Sequence, residues 1–189
     1  MNPRIIALNL SSNMLSGEGL EICLSELISN TTLLHLDLGV VESSVRKNSL
    51  GMQGAVCISS LLLRNQTLNS LCLNDNDFGP DGGECIGVAL KQNTTLKVLK
   101  IAENELGSEG AIAIIKGAVD LESLNLAKNS LKSDVGKHLS RLLKQSETIR
   151  KLSLEFNELE MLGTSNLAMG ISRSQSLRSL NLKANVIGD

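Results

Sequence analysis

Aromatic residues are almost missing from this sequence of 189 residues, which has two Phe, no Trp and no Tyr. Any core must be assembled from Leu, Ile, Val and Ala, and little is present on which nucleobases would stack. Runs of positive charge are missing too. Eighteen Lys and Arg stand against twenty Asp and Glu, with no basic stretch to neutralise a row of phosphates, which argues against a role in nucleic-acid binding. No apolar run reaches the ~18 uninterrupted residues of a membrane span, and the start, MNPRIIALNLSS, lacks a basic segment followed by a long apolar one. The four cysteines, Cys23, Cys57, Cys72 and Cys85, show no C-x-x-C spacing. They read as reduced thiols, so a soluble, cytoplasmic protein without membrane contact is expected.

What the chain has instead is a repeat. The pattern L-x-x-L-x-L-x-x-N recurs as IIALNLSSN (5–13), LNSLCLNDN (68–76), LKVLKIAEN (96–104), LESLNLAKN (121–129), IRKLSLEFN (149–157) and LRSLNLKAN (177–185). A seventh copy begins at Leu33 as LLHLDLG and is interrupted before it reaches Asn48. The asparagines that close the copies are Asn13, Asn48, Asn76, Asn104, Asn129, Asn157 and Asn185, spaced 35, 28, 28, 25, 28 and 28 residues apart. Deleting VVESSVR, residues 40–46, restores LDLGKNSLG, so those seven residues read as a loop inserted into the second repeat.

The L-x-L centre of each copy is a short strand whose alternate side chains face opposite ways. Strands of successive copies pair in parallel, and each unit buries its leucines only against its neighbours. The asparagine follows the strand where the chain turns. Its amide carries donors and an acceptor that satisfy backbone groups left unpaired there, so one corner should carry a ladder of asparagines. The segments between copies have apolar residues at helical spacing. Gly at the turn, Ser16, Ser108 or Ser133 near the start, and Pro80 just after Gly79 mark helix beginnings. The 25-residue spacing predicts one helix about a turn shorter than the rest. Asn30, Asn65 and Asn93 head N-x-T triplets at one place in the repeat and read as turn residues rather than glycan acceptors.

A strand plus a helix in 28 residues resembles the ribonuclease-inhibitor-like class of leucine-rich repeats. The resemblance covers residues 5–189 and implies an α/β solenoid, a horseshoe of about seven repeats in a single domain, with a parallel sheet on the concave face and helices on the convex face. Such an architecture serves unrelated functions, so the resemblance implies the fold and not an activity. The chain opens on a strand and stops after Asn185 without a following helix, so a piece of a longer array, or another body over its ends, is expected.

Function should sit on the outward strand positions. The middle row reads Asn9, Asp37, Cys72, Lys100, Asn125, Ser153, Asn181, and the row next to the asparagines reads Ser12, Asp75, Glu103, Lys128, Phe156, Ala184. The early repeats carry acids, and the later ones add Lys128, Arg150, Lys151, Arg178 and Lys183, a pattern suited to a charge-complementary protein partner. Phe156 is an aromatic at a solvent-facing place; Phe78 occupies an apolar slot. Candidate partner-contacting residues are Asp37, Cys72, Asp75, Lys100, Glu103, Lys128, Glu155, Phe156 and Lys183, with Glu42 and Arg46 in the loop. His35, Asp37 and Cys72 also lie near one another, the residue types of an activated thiol or a metal site. The open strand face and the lack of an oxyanion hole favour plain polar surface. His138 reads as a structural helix residue. The glycine-rich DFGPDGGE (77–84) lacks the G-K-S/T ending of a phosphate loop. No enzyme activity, cofactor or metal is expected.

The segment LNDNDFGPDG (73–82 with Leu73) is similar to one in the Ran GTPase-activating proteins, which are built from these repeats and bear a functional arginine on an extended loop of the preceding repeat. Here the preceding repeat holds the insert, and Arg46 ends it. That resemblance implies, as an alternative to a protein-binding module, an activator of a small GTPase acting through Arg46. A structural segment of a larger assembly is a third reading.

Overall fold

A computed structural model describes residues 4–188. Seven three-residue strands alternate with six helices among the described residues: β1 (Ala7–Asn9), α1 (Gly17–Leu27), β2 (His35–Asp37), α2 (Gly51–Arg64), β3 (Ser70–Cys72), α3 (Gly79–Leu90), β4 (Val98–Lys100), α4 (Gly107–Gly117), β5 (Ser123–Asn125), α5 (Val135–Gln145), β6 (Lys151–Ser153), α6 (Glu160–Ile171) and β7 (Ser179–Asn181). The strands form one parallel sheet in chain order. The five inner strands bury their central leucines, Leu36, Leu71, Leu99, Leu124 and Leu152, in the same core as helix residues such as Leu20, Ile58, Ile86, Ile114 and Leu139, while Leu8 in β1 and Leu180 in β7 are partly buried against it. The flanking strand residues remain partly or fully exposed on the opposite face. Period-two alternation thus divides every strand between the core and an open face.

The predicted asparagine ladder is present. Asn48, Asn76, Asn104, Asn129, Asn157 and Asn185 are buried. The side chain of Asn129 donates to the Ile101 and Ala127 carbonyls at 2.9 and 3.1 Å and accepts from the Asn104 backbone N–H at 3.0 Å. Equivalent rungs run from Asn13 N–H to Asn48, Asn76 N–H to Asn104, and Asn129 N–H to Asn157. The rungs toward Asn76 and Asn185 do not form, and the Oδ1 atoms of those two residues are buried without a partner.

The missing rungs trace to a second corner geometry. In most repeats the residue after the asparagine is left-handed, as at Met14, Asp77, Glu105, Ser130 and Val186. Ser49 and Glu158 are not left-handed, and their N–H groups instead donate back to the Leu15 and Leu131 carbonyls at 2.9 and 2.8 Å. These are the same two repeats whose asparagine N–H makes no bond to the next asparagine. The repeat of Asn157 has no insert, so the insert is not what breaks the ladder at Asn76.

Asn65 and Asn93 are buried, each donating to two carbonyls and accepting two N–H groups of the following turn. Their role is turn closure, and burial withholds both amides from modification in the folded chain. Phe78 is core, as expected.

The three serines stand at helix beginnings as expected: Ser16 caps α1 by accepting the Gly19 N–H, and Ser133 directly precedes Asp134, the cap of α5. Ser108 is the second residue of α4, where its hydroxyl donates to Asp134 at 2.6 Å. The expected length of α4 needs correction, because it is not a turn shorter. It has 11 residues against 12 in α3; the remaining shortening falls in the connection to the next strand, which keeps residues 118–122 where the previous repeat has 91–97. Helices α4 and α5 meet less closely than α3 and α4, and a groove of about 170 Å³ between them is lined by Ile115, Val119 and Leu142. Burial, with Lys116 and Arg141 nearby, lowers the pKa of His138 at the rim of this groove.

Candidate protein-binding face

On the open face, strand pairing places Asn9, Asp37, Cys72, Lys100, Asn125, Ser153 and Asn181 side by side in one row. Asp37 is half-buried and accepts the Gly39 N–H at 3.0 Å, closing the turn after β2. Its register partner Cys72 has a pKa raised first by burial and then by Asp37, the opposite of what an activated thiolate needs. His35 pairs with Ser70, two residues before the Asp37–Cys72 pair along the strands. Among the described residues no group of three His, Cys, Asp or Glu is arranged to hold a metal ion. Lys100 is exposed between Cys72 and Asn125.

The second row lies at the asparagine corner and has an unusual backbone. Ser12, Asp75, Glu103, Lys128, Phe156 and Ala184 all sit at φ of 53–56°. This left-handed conformation disfavours residues with a Cβ by about 1–2 kcal/mol each, and the buried asparagine bonds hold it in place. The side chains of this row interact across the repeats. Lys47 pairs with Asp75 at 2.7 Å, and Lys128 with Glu103 at 2.8 Å. Both lysines have raised pKa values, chiefly through these hydrogen bonds.

Phe156, 45 % exposed, lies between two cations, with the Lys128 and Lys183 ammoniums 5.8 and 5.1 Å from its ring centroid. That is cation–π range. Glu155 accepts the Asn181 amide at 2.9 Å, tying the sixth strand to the seventh. Glu103, Lys128, Phe156 and Lys183 therefore form one strip across four repeats: a carboxylate, an ammonium, an aromatic ring and a second ammonium.

The insert joins this strip. The Val40 N–H donates to Asn74 O as the Asp75 N–H donates to Ala102 O, so Val40 keeps the repeat register. The extra residues are consequently 41–47, one place later than the sequence suggested. Lys47, which the sequence reading missed, is the last of them and makes the ion pair to Asp75; its position directly before Asn48 was the available signal. The Glu42 carboxylate is among the charges that raise the pKa of Lys128, after the hydrogen bond and charge of Glu103. Val45 is 96 % exposed. Arg46 is exposed, and among the described residues its guanidinium reaches no carboxylate.

The comparisons agree with this architecture. A family model described as "Leucine Rich repeat" matches residues 64–87, 92–114 and 173–189, about a third of the chain. Among solved structures, "Leiomodin-1 Actin-Binding Site 2 (ABS2)" matches with a TM-score of 0.53 at 20 % identity, over 90 % of this chain and 83 % of that one. A search of curated proteins finds no match. The molecule is a leucine-rich repeat solenoid, α/β, with a parallel seven-stranded sheet. Among the described residues, no helix is long and apolar enough to cross a membrane.

Proposed function

We propose that residues 1–189 act as a single interaction module that grips a protein partner on the concave, helix-free face of the sheet. The contact centres on Glu103, Lys128, Phe156 and Lys183 and extends over Asp37, Cys72, Asp75, Lys100 and Glu155. The observation that carries this reading is the half-exposed Phe156 between two lysines. An aromatic ring with charged neighbours suits an interface anchor, and the flanking charges set register and steer encounter. The loop of residues 41–47, with Glu42 and Arg46, lies at the same corner and forms one edge of the surface. The leiomodin-1 segment, described as an actin-binding site, lends support only to the general use of such a face. Replacing Glu103 and Phe156 together by Ala is expected to weaken partner binding in a pull-down from lysate at least about tenfold, the size of effect of losing one interface anchor. The urea midpoint should move little, because both side chains are exposed. Unchanged capture by the double variant would place the contact elsewhere.

Activation of a Ran-type small GTPase is the competing reading, favoured by the exposed Arg46, which is not ion-paired among the described residues. Single-turnover phosphate release from the GTP-loaded GTPase separates the two. The interaction-module reading predicts no acceleration at micromolar protein; acceleration abolished by Arg46→Ala would replace it with the activator reading.

A further inference from the structure

A second surface lies away from the asparagine corner. Lys144 in the last turn of α5, Arg150 just before β6, Arg173 just after α6 and Arg178 just before β7 line one concavity of about 570 Å³. Glu147 is the single acid on its walls, which are mainly polar and include no aromatic ring. None of the four cations is ion-paired among the described residues. The Arg178 guanidinium donates to the Gln175 and Leu177 carbonyls at 2.9 and 3.1 Å, which fixes its position before any ligand arrives. Ser176 is buried and donates to the Ser146 carbonyl at 3.0 Å, holding the two repeats together beneath the site.

Cations at helix C-termini partly offset the negative end of the dipole, about half a charge per helix. Two helix ends and Glu147 still leave an excess of about two positive charges in one hollow, an arrangement that an anion would relieve. Arginine forks match phosphate oxygens in pairs. The volume exceeds what one phosphate fills, and the polar, ring-free lining suits neither an apolar ligand nor a nucleobase.

We propose that this concavity binds a compact anion carrying several phosphate groups, with Arg150 and Arg178 holding one end and Lys144 and Arg173 the other. Calorimetric titration at fixed ionic strength with tripolyphosphate, orthophosphate and a deca-glutamate peptide tests it. Tripolyphosphate should bind at least about tenfold more tightly than orthophosphate, as expected when additional charge-assisted hydrogen bonds form. Arg150→Gln with Arg178→Gln should weaken it by about tenfold or more, whereas Lys91→Gln with Lys132→Gln, which removes the same charge elsewhere, should not. Vesicles containing a polyphosphorylated inositol lipid distinguish the source: binding to them assigns a lipid headgroup, and binding of tripolyphosphate alone assigns a soluble anion. Absence of tripolyphosphate binding, equal weakening by the control pair, or tighter binding of the glutamate peptide would overturn the proposal.

Discussion

Asn129→Ala is expected to destabilise the protein by about 3–5 kcal/mol, because it leaves several buried backbone groups without partners at about 1–3 kcal/mol each. The side chain accepts from Asn104 N–H at 3.0 Å and Leu106 N–H at 3.3 Å and donates to two carbonyls. Alanine replaces none of these bonds, and no water reaches a residue that is 0 % exposed. The effect should be graded along the ladder. Asn76→Ala should cost less, since Asn76 Oδ1 already lacks a partner. Asn13→Ala should cost under about 0.5 kcal/mol, because Asn13 is exposed and, among the described residues, its side chain bonds only to the Ser11 carbonyl. Urea unfolding of the three variants gives the order, and hydrogen exchange at the Asn104 and Leu106 amides identifies the lost bonds. Equal losses at Asn129 and Asn13 would mean that the ladder does not hold the corner.

Gly87→Ala should destabilise by about 2 kcal/mol even though alanine is the better helix former by about 1 kcal/mol. A Cβ at Gly87 in α3 would run into the backbone of Ala113 and Ile114 in α4, and one at Gly117 would meet the Gly87 carbonyl. The two helices touch backbone to backbone, so neither side can yield by a side-chain rotation. Separating them would open the core around Ile86 and Ile114, both 0 % exposed. Gly19→Ala in α1 is the matching control. Its Cβ would meet only ordinary contacts at 3.6 and 3.8 Å, so the substitution should be neutral or stabilising by up to about 1 kcal/mol. Opposite signs at Gly87 and Gly19 are the expected thermal-melt result; a gain at Gly87 would show that the α3–α4 contact is looser than described.

The strand register and the ladder were legible in the sequence because both follow from a fixed repeat. Once L-x-L sets the face and asparagine the corner, each copy predicts the next, so Asp37, Cys72 and Lys100 could be placed side by side without coordinates. Contacts between rows were not legible. The approach of Lys128 and Lys183 to Phe156 depends on a left-handed backbone at non-glycine positions, which no residue type announces. The different corners at Ser49 and Glu158 have no sequence mark that we can identify. The insert boundary slipped by one because both Val40 and Lys47 fit beside Asn48, and only the Val40–Asn74 hydrogen bond separates them. The hollow of Lys144, Arg150, Arg173 and Arg178 was hidden for another reason: its members come from a helix end, a post-helix turn and two strand leads, which the repeat pattern treats as unrelated positions.

The measurement that tests the central claim most directly is a photo-crosslinking scan, with a benzophenone side chain placed in turn at open-face positions Lys100, Asn125 and Lys183 and at helix positions Lys91, Lys137 and Asn166. A partner gripped on the open face would yield one common adduct from the first three positions and none from the other three. Adducts confined to the helix positions would contradict the account.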